Sequence, residues 1–161
     1  MDFKEKLIIY YKKNKIKLFI TQIIIVLVII LFAFLQIKKS KNNNVVAEKF
    51  IEAGLLLSSN QKDLANQIYE EIIFSKNKFY SILALNTILE KDLVSDTSVL
   101  LNYFKIVETI KKPTEQQDRI LFRKALLLTK ISKDKEGNNI LKKLIDENSK
   151  LKPLAEEIIV K

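Results

Sequence analysis

FIEAGLLLSSNQKDLANQIYEEI, Phe50 to Ile72, is the stretch whose reading decides the fold. Its apolar residues recur at three- and four-residue intervals on both sides of a polar run from Ser58 to Asp63, the spacing of two amphipathic helices joined by a short turn. The first helix carries a large residue, a small one four positions on, and an apolar one three further: Phe50, Gly54, Leu57. The second carries Ala65, Tyr69 and Ile72 at the same spacing. Small residues at a crossing let two helices approach closely, and a large neighbour one turn away fills the adjoining groove. Gly in a helix interior costs about 1 kcal/mol relative to Ala, so Gly54 is expected to have a packing reason.

Both ladders return downstream. The first recurs as Tyr80, Ala84, Thr87, as Leu121, Ala125, Leu128, and as Leu151, Ala155, Ile158, with Thr87 its weak member. The second recurs as Leu100, Phe104, Val107 and as Gly137, Leu141, Leu144, with Leu100 large where a small residue is expected. The spacing predicts helices near 45–58, 61–75, 78–91, 96–111, 115–131, 135–147 and 152–160. Asp96 and Thr114 are expected N-caps, and Pro113 and Pro153 mark breaks or first turns. No strand-like alternation is sustained. The expected fold class is all-α, a helical-repeat array of about seven helices over residues 45–161. Its repeat-packing positions are Gly54, Ala65, Tyr69, Ala84, Ala125, Gly137, Leu141 and Ala155.

Upstream, Leu18 to Ile37 contains no charge and is flanked by Lys on both sides. At about 1.5 Å per residue it spans roughly 30 Å as a helix, the thickness of a bilayer core, so it is expected to cross a membrane. A core helix of that length would show a polar face, and from Ile23 to Leu35 there is none. A signal peptide would have a shorter apolar run and a small-residue cleavage site; here the run ends in Gln-Ile-Lys-Lys. Residues 38–44, KKSKNNN, are expected as a polar linker, reaching only about 25 Å when extended. Residues 1–17 form a basic tail with six Lys against three on the far flank, which by the positive-inside rule places the tail in the cytoplasm and the helical domain outside. Phe3, Leu7, Ile8 and Tyr11 recur near helical spacing, so the tail either lies along an anionic leaflet or is an unstructured basic flank.

The net charge of +9 over 161 residues divides unevenly. Residues 1–41 hold nine Lys against Asp2 and Glu5; residues 42–161 hold nineteen Lys or Arg against seventeen acids. The basicity belongs to the membrane flanks, and a nucleic-acid partner is not expected. There is no Cys and no His, which removes thiol chemistry, zinc sites built on those ligands and Ser-His-Asp triads. Glu70-Glu71, Asp146-Glu147 and Glu156-Glu157 are sequence neighbours, about 100° apart on a helix, and read as solvated faces. With two Gly in the chain there is no phosphate-cradling loop. Neither an enzyme, a cofactor nor a small-molecule substrate is expected.

The ladders resemble the tetratricopeptide repeat, with Phe50 to Ile72 as the best copy. The copy lacks the closing Pro, and the small-residue spacings scatter around the usual repeat length. The whole layout of basic tail, single anchor, brief linker, KDLANQIYEEII and a final LKPLAEEI is similar to the YfgM-like family, ancillary subunits of the SecYEG translocon in the bacterial inner membrane. The resemblance implies a periplasmic adaptor that helps exported proteins pass to chaperones, with translocon and chaperones as partners beside the lipid bilayer. The alternatives are an envelope adaptor coordinating cell-wall synthesis or division and, further off, a membrane-tethered hydrolase.

In such an array the first helices of successive pairs line a concave face. Counting from the small crossing positions, the expected partner groove comprises Ile51 and Leu55, then Lys78, Leu85 and Ile88, then Arg119, Phe122 and Leu126, with Ser58, Ser81 and Thr129 beside them. This gives an apolar floor with a basic rim for an extended or helical peptide. The competing reading is that most of these side chains pack inside a small bundle.

Overall fold

The computed structural model describes residues 2–159, leaving out the side chains of 3–12, 18 and 37–42. Among the described residues it is all-α, without a strand: α1 (Phe3–Ser58), α2 (Lys62–Phe74), α3 (Tyr80–Glu90), α4 (Thr97–Glu108), α5 (Thr114–Lys130), α6 (Asp134–Asp146) and α7 (Lys152–Ile158). The expected helices therefore stand where the apolar spacing put them. The end of the last one, at 160, falls outside the described residues.

The chain divides into two compact units, Met1–Asn44 and Val45–Lys161. In the first, Lys13–Gln36 holds an 18-residue window of mean hydropathy 3.1, none of that window is buried, and the helix is long and apolar enough to cross a membrane. Thr21, a polar residue in that run, donates its hydroxyl to the Lys17 carbonyl at 2.9 Å, which keeps the side chain satisfied within the helix. Asn14 breaks the helical geometry of α1, with φ −115° and ψ 16°. The expected stripe of Phe3, Leu7, Ile8 and Tyr11 lies on side chains outside the described set. Residues 38–44, expected as a linker, are helical. KKSKNNN has no Gly or Pro, and extending a helix that already exists costs each Asn or Ser only a few tenths of a kcal/mol, about 0.7 at most.

In the second unit, α2 packs on α3, α5 on α6, and α6 on α7, while α4 touches α2, α3 and α5. One core holds Tyr69, Ile72, Ile73, Leu85, Tyr103 and Phe104, all nearly inaccessible. A second, smaller core gathers Ala125, Leu141, Leu144 and Ala155. Leu121 and Phe122 pack on the second core and Ile120 and Leu127 belong with the first, so α5 joins the two. Phe50 stacks near both Tyr69 and Tyr80, with centroids 5.5 and 5.6 Å away, tying α1 to α2 and α3. The Tyr103 hydroxyl is pushed up to about 12, first by burial and then by the charge and hydrogen bond of Glu70.

Five helix ends share one device. Asn60, Lys76, Asp92, Ser132 and Asn148 have φ between 47° and 61°, and each stands two residues beyond the end of a helix. Four of these ends also close with an amide reaching back to a carbonyl inside the helix: Gln61 to Leu56 at 2.9 Å, Leu93 to Ile88 at 3.1 Å, Lys133 to Leu128 at 2.9 Å, and Ser149 to Leu144 at 3.0 Å. This is a Schellman closure built without glycine. After α2 the Ile72 carbonyl takes the Ser81 hydroxyl instead, at 2.7 Å. The end of α4 is different. Lys112 Nζ donates to the carbonyls of Val107 at 2.6 Å and Ile110 at 2.7 Å, and burial pushes its ammonium pKa down while Glu108 opposes.

At the N-termini, Asp96 caps α4 as expected, accepting from the Ser98 amide at 2.7 Å. A bond from the Ser98 hydroxyl and, after it, that amide bond hold its carboxyl below the usual range. Thr114 is not a cap. Pro113 takes the cap position of α5, its carbonyl accepting from Gln116 and Gln117, and Thr114 is the first helical residue.

Candidate functional site

Two depressions lie along α5 in the helical unit. The smaller, about 210 Å³, runs between α3 and the first half of α5, where Phe79, Leu83 and Asn86 face Gln116, Arg119 and Arg123. The larger, about 740 Å³, lies between the end of α3, the start of α4 and the second half of α5. Ile88, Leu100, Phe122, Leu126 and Leu127 form its apolar lining, and Glu90, Asp92, Arg123 and Lys130 its charged rim. The larger cleft opens where the two cores part, so its floor is the seam that α5 bridges. Its volume falls in the range of about 300–1,000 Å³ typical of ligand pockets.

Polar contacts fix α5 at this seam. Lys124 pairs with Glu108 at 2.8 Å, both half-buried, which holds α5 against the end of α4. Arg123 reaches Glu90 at 3.2 Å and lines both depressions, so this pair stands between them. Glu115 at the start of α5 accepts from Lys150 at 3.1 Å and Arg119 at 2.6 Å; these two partners, Lys150 first, hold its carboxyl below the usual range. Asp118, buried, accepts the Ser149 hydroxyl at 2.6 Å and fastens α5 to the turn before α7.

The expected groove residues do not all come together. Phe122 and Leu126 line the larger cleft, and Arg119 lines the smaller one. Ile88 contributes to the larger cleft from a fully buried position. Leu85 and Ser81 do not belong to a groove: both are buried in the core. Lys78 is exposed before α3 and lines neither depression, while Ile51 and Leu55 are exposed on α1 outside both. The error on α3 has a simple cause. Phe79, Leu83 and Asn86 stand two residues from Ser81, Leu85 and Ile88, and two residues turn a helix by about 200°, onto the opposite face. Counting from Ala84 put Ser81 and Leu85 on the groove, whereas the Ser81 hydroxyl is buried and donates to the Ile72 carbonyl at 2.7 Å.

The packing positions fare better. Ala65, Tyr69, Ala84, Ala125, Gly137, Leu141 and Ala155 are all buried, and Gly54 is half-buried. Gly54 is nonetheless not required by sterics: a Cβ there would meet only the Tyr69 hydroxyl, 4.0 Å away. Sequence reasoning missed Phe79, Leu83, Gln116 and Arg123. The signal for Arg123 was its i, i+4 relation to Arg119, which puts both on one face of α5.

Glu71 pairs with Lys49, whereas Glu70 meets Tyr103, so these adjacent acids serve different neighbours. Among the described residues no group of three or more His, Cys, Asp or Glu is gathered as a metal site. No family model matches the chain, and no curated protein or solved structure matches it.

Proposed function

We propose that this chain is a membrane-anchored, tetratricopeptide-like adaptor of the bacterial inner membrane, an ancillary translocon subunit whose periplasmic domain links exported proteins to chaperones. The observation that carries the adaptor reading is the apolar cleft of about 740 Å³ on a repeat-like helical unit, in a chain whose N-terminal helix is long and apolar enough to cross a bilayer. A second support is the periodicity of the helix ends. The left-handed residues Asn60, Lys76 and Asp92 are sixteen residues apart, as are Ser132 and Asn148, so two helices take up nearly the length of one tetratricopeptide repeat. The six-to-three lysine asymmetry supports a cytoplasmic tail and an exported domain. The translocon assignment rests on the resemblance of the layout to the YfgM-like family.

The test is photocrosslinking from position 122 or 126 of the full chain in intact membranes. Recovery of translocon subunits and periplasmic chaperones is the expected result. Crosslinks to cell-wall or division proteins alone would move the adaptor to another task, and digestion of the helical domain only after the inner membrane is opened would invert the topology.

A further inference from the structure

The larger cleft has rims of opposite charge. On one side Asp92 stands at the turn after α3; on the other Lys130 closes the last turn of α5. Both are exposed, and neither makes an ion pair among the described residues. The Arg123–Glu90 pair limits the cleft toward the smaller depression, already neutralised at 3.2 Å. The α5 wall runs from Phe122 to Ile131, roughly 14 Å at about 1.5 Å per residue, which is two and a half helical turns. The helical unit offers no strand edge among its described residues, so a peptide entering the cleft finds no backbone ladder to join. A segment that satisfies its own amides and carbonyls avoids that cost, and an α-helix does so.

We infer that the larger cleft receives a short amphipathic helix whose apolar stripe is flanked by acidic side chains on one side and basic side chains on the other. The acidic flank meets Lys130 and the basic flank meets Asp92, while the apolar stripe covers Phe122 and Leu126. This rests on the adaptor reading of the same cleft and adds the chemistry of what is bound.

The experiment uses the full chain in nanodiscs of zwitterionic lipid and three labelled 14-residue peptides that share one apolar stripe. Their flanks are Glu and Lys, Lys and Lys, or Glu and Glu, and binding is read by fluorescence anisotropy against empty nanodiscs. The mixed-flank peptide is expected to bind tightest. Lys130→Glu shifts the preference to the Lys-flanked peptide and Asp92→Lys to the Glu-flanked one, each by about threefold, the size expected of exposed ion pairs. Lysine is tolerated at the left-handed position, since Lys76 already occupies the equivalent site after α2. Leu126→Asp weakens all three peptides together. Equal binding of the three, preferences that neither reversal moves, or occupancy by a zwitterionic lysophospholipid with no peptide binding would overturn the inference. If translocon proteins crosslink from position 122 while the peptides are not discriminated, the charge reading fails and the adaptor reading stands. Discrimination without such crosslinks gives the opposite result.

Discussion

Gly54 and Gly137 are the small members of the two different ladders, near opposite ends of the array, yet only Gly137 stands where a side chain does not fit. A Cβ at Gly137 would lie 2.9 Å from Thr129 Oγ1 and 3.1 Å from the Ala125 carbonyl oxygen, so α5 and α6 meet nearly backbone to backbone. At Gly54 the nearest atom is 4.0 Å away, and the space between α1 and its neighbours is taken up by Phe50, Tyr69 and Tyr80. A small residue on a ladder thus goes with two kinds of packing, bulky rings at one end and close approach at the other. The cores differ accordingly. Among the described residues fifteen side chains are buried in the core around α2–α4 and four in that around α6 and α7, so the last hairpin has less apolar burial to hold it.

The sharpest way to break that contrast is to cut each core. Phe104→Ala removes a fully buried ring from the larger core and is expected to cost about 3–5 kcal/mol, lowering the stability of the whole helical unit. Leu144→Ala is expected to cost about 2–4 kcal/mol and to act locally first, because its neighbours belong to the smaller core. Hydrogen exchange separates these outcomes: in the Leu144 variant the α6 amides lose protection before those of α2. Loss of protection in step would mean one core, not two.

The glycines themselves give the next effect. Gly137→Ala is expected to destabilise by about 1–3 kcal/mol, since the groups it meets include a backbone carbonyl that cannot turn away. Gly54→Ala is expected to stabilise by up to about 1 kcal/mol, from helix propensity alone. Thermal unfolding of the two variants should shift in opposite directions; a shared sign would remove the distinction between the two crossings.

Helix positions and buried ladder residues were legible in the sequence because both follow from a period of 3.6 residues, which Ala65, Tyr69, Ala84 and Leu141 respect. What the period does not carry is phase where a helix is apolar nearly all round. In α3, YSILALNTILE, Ile82, Leu83, Leu85, Ile88 and Leu89 cover most of the circumference, so Ser81 and Leu85 were read onto the groove although they lie in the core, while Ile88 does reach the larger cleft. The left-handed closures of the helix ends were invisible for another reason. Glycine is the usual mark of a left-handed C-terminal turn, and this chain uses Asn60, Lys76, Asp92, Ser132 and Asn148 there instead. These positions supply a smaller effect common to both ends of the array. Lys76→Gly and Ser132→Gly should each stabilise by about 0.5–1 kcal/mol, because the left-handed conformation costs an L-residue more than glycine loses in entropy. Denaturant midpoints measure this, and a loss of stability in either variant would mean that its side chain makes a compensating contact.

The smallest effect tests how the last hairpin compensates for its small core. Asp118 and Glu115 both tether α5 to the turn between α6 and α7, through Ser149 and Lys150 respectively. The Glu115 carboxyl is held below its ordinary value, first by Lys150 and then by Arg119. A depressed carboxyl contributes stability that is present above the unfolded value, about pH 4.3, and is lost as the pH falls through the lower folded value. The difference in stability between the chain and Glu115→Gln should therefore be present at neutral pH and close below about pH 4, with no such change for Phe104→Ala. Because Lys150 and Arg119 are well exposed, 1 M salt should shrink the difference at neutral pH as well. If the difference persists at both acid pH and high salt, Glu115 acts through packing, and the buried Asp118–Ser149 bond is the polar tether that remains.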